Sequence, residues 1–170
     1  MVDERVPFAI REMRSEDARA FLEIHHAAVR EVAAKDYSVE IIDAWAPLPI
    51  TERDVAGVLS NPDDEYRLVA EIERRVVGVA ALVAKHHEVR ACYVAPEAGR
   101  RGVGSALLRE IEREALQLDL DFLEAESSLT AEPFYAGQRY LVLERGEHAL
   151  HNGERMACVK MRKRLDSSES

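Results

Sequence analysis

The sequence predicts an α/β fold, a mixed and largely antiparallel sheet with helices on both faces. Strand-length stretches rich in Val and Ile alternate with amphipathic stretches of helical period. Three of the strand-like stretches, Tyr66–Ile72, Val76–Val83 and Glu88–Val94, are joined only by short polar links at Glu73-Arg74 and Lys85-His86-His87, as in an antiparallel meander. The full order is one strand, helices, three strands, a long helix, a strand, a short helix and two strands, which makes a seven-stranded sheet. At 170 residues and 47% apolar, the chain is sized for one domain with a sizeable core. No repeat or Gly-, Ser- or Pro-rich linker divides it. Residues 1–165 read as the domain and Asp166–Ser170 as a disordered tail.

Each element has a local reason. Pro7 to Arg11 is a short apolar strand. Ser15 and Asp17 open a helix whose Phe21, Leu22, His25, Val29 and Val32 recur at helical spacing. Ser38 starts a second helix carrying Ile41, Ile42 and Trp45, which Pro47 and Pro49 end. Thr51 with Asp54 forms a capping-box pattern for a third helix through Leu59, closed at Asn61-Pro62. After the meander, a Gly-rich turn at Gly99–Gly104 runs straight into a helix. Its Val103, Ala106, Leu107, Ile111, Ala115 and Leu118 face one way; Arg109, Glu112, Arg113 and Glu114 face another. Phe122–Glu126 is a strand, Thr130–Gln138 a short helix, and Leu141–His148 with Met156–Met161 a hairpin around Asn152-Gly153.

Composition narrows the function. Lys and Arg total 23 against 32 Asp and Glu, a formal charge of −9. That field disfavours nucleic acid and anionic membrane as partners and attracts cations. The start lacks a basic segment followed by an apolar run, and no stretch has the roughly 18 apolar residues of a membrane span. The two cysteines, Cys92 and Cys158, sit in apolar strand-like stretches and read as buried reduced thiols. These features together predict a cytoplasmic chain. His25-His26 and His86-His87 are adjacent pairs, without the spacing of metal ligands, so no metal is expected.

The Gly-rich turn carries the chemistry. A Gly-x-Gly turn ahead of a helix aims several backbone N–H groups at one point, where the helix adds partial positive charge. Arg100 and Arg101 add two full charges, so a pyrophosphate is the natural guest. A Walker A loop needs Gly-Lys-Ser/Thr, and Gly104 is followed by Ser105-Ala106. A dinucleotide fingerprint needs a small residue where Leu107 stands. A tight turn with surface arginines is the plain alternative.

Cys92-Tyr93-Val94-Ala95-Pro96-Glu97 leading into Gly102-Val103-Gly104-Ser105-Ala106-Leu107-Leu108 resembles the central motif of the GNAT N-acetyltransferase superfamily. Ala131-Glu132-Pro133-Phe134-Tyr135 resembles the family's late Phe-Tyr signature. Asp36–Trp45 and Ser127–Thr130 are similar to a bacterial branch whose substrates are poorly defined. The resemblance, from about Phe8 to Leu165, implies the GNAT fold, with the sheet splayed at its central strands. It implies acetyl-CoA as acyl donor, its pyrophosphate on the N–H groups of Arg101, Gly102, Val103, Gly104 and Ser105, with Arg100 beside them. The arm of the cofactor would pair as a pseudo-strand with backbone groups of the Cys92-Tyr93-Val94 segment. One position departs from the motif: Gly99 stands where Gln or Arg is usual.

The implied reaction is N-acetylation of a primary amine, on a small molecule or an amino terminus, by direct attack in a ternary complex. Val94 N–H would polarise the carbonyl. Tyr135 matches the family's acid, which returns a proton to the leaving thiolate; packing beside Phe134 is its plain alternative. Glu126 and Glu88 are the candidates for the base, each also readable as a solvated strand-end residue. Glu126 is preferred because Leu123, Ala125 and Ser127 alternate against Glu124 and Glu126. His25 reads as a packed residue, and Cys92 has no Cys-His partner in sequence that would make it a nucleophile. Tyr37, Trp45 and Tyr66 could wall an acceptor pocket. A non-catalytic acyl-CoA-binding module is the rival, and a homodimer is a partner the resemblance admits.

Overall fold

The computed structural model describes residues 7–166; residues 167–170 of the expected tail lie outside the described residues. The first strand, β1, is Ala9–Glu12, starting two residues and ending one residue later than the pattern suggests. A 3-10 turn at Ser15–Asp17 precedes α1, Ala18–Glu31, so the helix proper starts after Asp17. Arg11 explains why that turn is fixed. Its guanidinium donates to Asp17 at 2.7 and 3.1 Å and to Glu71 at 3.2 and 3.3 Å, tying the helix entry to the sheet edge.

Then come α2, Val39–Trp45, capped by the Ser38 hydroxyl, and α3, Glu52–Ser60. The Thr51–Asp54 capping box forms as expected, each residue's side chain satisfying the other's backbone N–H. The meander is β2, Tyr66–Ile72; β3, Arg75–Val83; and β4, Glu88–Val94. The long helix α4 is Val103–Gln117, and β5 is Phe122–Ser128, two residues longer than expected. The short helix α5 is trimmed to Glu132–Gly137, and the hairpin is β6, Leu141–Ala149, with β7, Arg155–Arg164.

The seven strands lie in the order β1-β2-β3-β4-β5-β7-β6. Every neighbouring pair is antiparallel except β4–β5. Consecutive residues Val79 to Val83 on β3 are buried, so both faces of the sheet are covered there. On one face, a Cβ added at Gly78 would stand 2.9 Å from Val103 and 3.0 Å from Leu107, so α4 is seated directly on the strand backbone. Its apolar stripe is Val103, Leu107, Leu108, Ile111 and Ala115. Leu118, expected on that stripe, is 47% exposed because the helix has ended at Gln117. On the opposite face α1 packs across β3 and β4. No helix among the described residues is long and apolar enough to cross a membrane.

Candidate active site at the β4–β5 divergence

The site begins with a break in the sheet. The β3–β4 ladder slips by one residue between Ala81 and Leu82, leaving Arg90 as the extra residue of a bulge. On its other side β4 meets β5 only at Glu88 opposite Glu124, where the Glu124 N–H donates to the His87 carbonyl at 2.7 Å. Past that point the parallel strands diverge. The Ala95 N–H donates to the Val77 carbonyl at 2.7 Å, and backbone direction alternates along a strand. Tyr93 therefore faces β3, while the N–H and C=O groups of Cys92 and Val94 face the divergence. Such an inner strand edge can hold an extended chain by backbone hydrogen bonds.

The turn into α4 closes one end of this edge. Gly102 caps the helix with φ of 79°, a left-handed conformation that glycine adopts without a Cβ clash. The first helical hydrogen bond runs from Ala106 N–H to the Gly102 carbonyl, leaving the N–H groups of Val103, Gly104 and Ser105 without helical acceptors. Arg100 and Arg101 are exposed and make no ion pair among the described residues. Gln138 donates from Nε2 to Ser105 Oγ at 2.9 Å, pinning the end of α5 to the first turn of α4. Gly99 is in ordinary extended backbone, φ −63° and ψ 154°, so no unusual conformation requires glycine there. A corner of free N–H groups flanked by arginines is suited to an anion.

Between the turn and the interior runs a narrow apolar channel of about 210 Å³, lined by Val94, Gly104 and Phe134 and by Ala28 and Val29 of α1 with Val32 just after it. It shares Trp45, Cys92, Tyr93, Ser128 and Ala131 with a wider cleft of about 470 Å³. Tyr135 lines that cleft at 6% exposure, and its hydroxyl makes no hydrogen bond with the described residues. Burial, then the nearby Cys92 and Tyr93, push its pKa far up, so the hydroxyl keeps its proton. Burial likewise pushes the Cys92 thiol up to about 12, and its Sγ sits 3.6 Å from the Gly104 carbonyl oxygen. A thiol so held is a poor nucleophile.

The wide cleft brings together all the predicted acid and base candidates: Tyr135, Glu126 and Glu88 all line it. The two carboxylates differ. Glu88 receives Arg90 Nε at 3.0 Å and Nη2 at 2.9 Å, a bidentate pair that occupies both its oxygens. Glu126 has 49% of its side chain exposed and no such clamp. It lies on the β5 face opposite Leu123, Ala125 and Ser127, which are buried. Glu124, on the same face, is held by Arg162 and Lys160, which keep its carboxyl below the usual range against an opposing effect of burial. Sequence reasoning missed two cleft residues, Arg90 and His148. The bulge that aims Arg90 has no local sequence mark, and His148 reaches the cleft only through strand order.

The other candidates fall elsewhere. His25 lines neither cavity. It packs edge-on against Tyr93, ring centroids 4.7 Å apart, and burial pulls its pKa down to about 4. Trp45 walls both cavities. The Tyr37 hydroxyl donates to the Ala157 carbonyl at 2.6 Å and accepts from Leu129 N–H at 2.8 Å, tying the α2 approach to the loop after β5. Tyr66 lines neither cavity and sits in β2 opposite Leu82.

Comparison with known proteins agrees with this architecture. A family model described as an acetyltransferase (GNAT) domain matches residues 33–165. The uncharacterized N-acetyltransferase YafP of Escherichia coli (strain K12) is 30% identical over 139 residues, covering 77% of this chain and 78% of YafP. A GCN5-related N-acetyltransferase (aminotransferase, class-II) from Rhodopseudomonas palustris superposes with a TM-score of 0.83 at 30% identity, over 92% of this chain and 95% of that one. The PaiA N-acetyltransferase from Thermoplasma acidophilum, solved in complex with coenzyme A, gives 0.71 at 17% identity, over 93% and 99%. The splayed sheet, the Gly-x-Gly helix start and these matches lead to one conclusion: the chain belongs to the GNAT family of acetyltransferases.

Proposed function

We propose that the protein transfers an acetyl group from acetyl-CoA to a primary amine, on a small molecule or an amino terminus, by direct attack in a ternary complex. The observation that carries this reading is the continuous path from the anion corner at α4, along the open edge of β4, to the buried Tyr135 hydroxyl. The residues present suit the cofactor. N–H groups of Val103, Gly104 and Ser105 and the two arginines suit a pyrophosphate, and the backbone of Cys92 and Val94 suits an amide-bearing arm. The coenzyme A held by the PaiA relative supports the same assignment.

Acetyl-CoA, when bound, supplies the activated acyl group. The chain's own residues do the rest. The Val94 N–H polarises the carbonyl. The nitrogen of the neutral amine bonds to the carbonyl carbon and gives up one N–H proton on the acceptor side, the carbon–sulfur bond breaks, and Tyr135 gives its proton to the sulfur and regains one from water. The raised pKa of Tyr135 does not oppose this step, because the burial that raises it also raises a neighbouring thiol, Cys92, to about 12. A thiolate formed in the same surroundings is a correspondingly stronger base. Glu126 stands on the acceptor side; Glu88 is taken up by Arg90. The inert Cys92 argues for direct transfer over an acetyl-cysteine route.

Two measurements test the reading. In a thermal-shift titration, acetyl-CoA at ~100 times its Kd adds about 2.7 kcal/mol and raises Tm visibly; no shift rules the cofactor out. Thiol release from acetyl-CoA over a panel of primary amines then tests transfer, and binding without turnover on any amine returns the chain to a non-catalytic acyl-CoA-binding role.

A further inference from the structure

The wide cleft holds an ionisable pair that the proposed chemistry has not used. Glu126 on β5, Cys158 on β7 and His148 on β6 share one face of three successive strands. His148 Nδ1 lies 2.9 Å from Glu126 Oε1. A carboxylate only accepts, so a neutral imidazole at this distance would carry its proton on Nδ1 and its lone pair on Nε2. Nε2 makes no hydrogen bond with the described residues. Cys158 Sγ donates to the same carboxylate oxygen at 3.5 Å and holds it from the sheet side. Gly146 lies opposite Cys158 on β6, where even an added Cβ would meet nothing within 4 Å, so no side chain stands between the imidazole and the carboxylate there.

The rest of the cleft offers no comparable proton acceptor. Glu88 is bidentate to Arg90, the guanidinium is a donor, and the thiols and phenols of Cys92, Cys158, Tyr93 and Tyr135 are held protonated by burial. We propose that His148 Nε2 takes the proton of the acceptor amine and that Glu126 is a positioning residue that orients the ring. This deepens the acetyltransfer reading and rests on it. An amine that arrives as an ammonium first gives one proton through Nε2 to water; the neutral nitrogen's lone pair then forms the bond to the carbonyl carbon, a second N–H proton passes to Nε2, and the carbon–sulfur bond breaks. Tyr135 protonates the sulfur. The imidazolium that forms faces the Glu126 carboxylate, so the pair, singly negative at rest, becomes neutral in sum. His148 is 54% exposed, so the proton leaves to water on the solvent side, away from the buried Tyr135 end.

The test compares wild type, H148A and H148Q on primary amines running from phenethylamine, a cation at neutral pH, to aniline, already neutral. Acetyl-CoA thermal shift is recorded for each protein. The proposal expects both variants to keep the acetyl-CoA shift and to lose about 10²-fold in kcat/KM on phenethylamine. It expects a smaller loss on aniline, and recovery of H148A when imidazole is added to the medium. E126Q should lose less than H148A and should not be rescued by imidazole. Nitrogen-15 spectra of the imidazoles should show His148 with its proton on Nδ1. Turnover by wild type with variants that match it, or that imidazole does not restore, overturns the dyad and leaves the acetyltransferase reading intact. A proton on Nε2 likewise overturns the dyad alone. A wild type that turns over no amine overturns both, and the acetyl-CoA shift then separates a failed cofactor assignment from a failed transfer step.

Discussion

The Tyr135 hydroxyl makes no hydrogen bond with the described residues and opens on the wide cleft, which leaves its proton available there. Tyr135→Phe removes only that oxygen. It should lower kcat by about 10²-fold with little change in acetyl-CoA affinity, read by steady-state kinetics beside a binding titration. Asp17 poses the opposite case, a carboxylate fully engaged. Its side chain is 7% exposed and takes two bonds from Arg11 and one from Arg14 N–H at 2.7 Å, and these hold its pKa below the usual value against the effect of burial. A depressed folded-state pKa stabilises the fold above the unfolded value, near ~4, and that stability is lost as pH falls through the folded value. Asp17→Asn should therefore cost about 2 kcal/mol at pH 7, and the gap to wild type should close in strong acid, as urea midpoints at the two pH values would record.

Among the elements, Gly78 and the N-terminus of α4 act together. Gly78→Ala drives a Cβ to 2.9 Å from Val103 Cγ1 and 3.0 Å from Leu107 Cδ1, so the side chains that seat α4 on β3 must shift. Overpacking of this kind costs about 1–3 kcal/mol, and it should also weaken acetyl-CoA binding because Val103 opens the anion corner. Calorimetric Tm and a binding titration on one variant report both. Elements of this kind were legible where local chemistry decides them. β2 and β4 begin and end at the bounds their sequence pattern gives, Tyr66–Ile72 and Glu88–Val94, and the Thr51–Asp54 box forms as written. The turn at Gly102 was legible because only a few residue types tolerate its backbone. The helix entry at Asp17 was not, because Glu71, about sixty positions on, shares the arginine that fixes it. The meeting of His148 with Glu126 was illegible for a similar reason: β7 is inserted between the strands that carry them, and strand order is a property of the whole sheet. The same holds for Glu88, whose clamp by Arg90 depends on a bulge.

At the scale of the molecule, the formal charge of −9 is spread unevenly, with Arg100 and Arg101 side by side at the start of α4 while Glu88 and Glu126 line the wide cleft. Stability is uneven too. β3 is buried on both faces, whereas every residue of β6 is exposed and β6 pairs only with β7. Hydrogen exchange should find the amides of Val77–Val83 opening only with near-global unfolding and those of the outer edge of β6 exchanging orders of magnitude faster. The seam between β4 and β5 adds a last consequence. An unpaired strand edge on a protein's rim recruits other chains and seeds aggregates. Here the bare edge of β4 lies between the walls of α1 and α5, in a slot of about 210 Å³. A folded neighbour's strand, flanked by its own sheet, cannot enter such a slot, whereas a single slender chain can. The fold keeps a reactive edge permanently open and shields it by width alone.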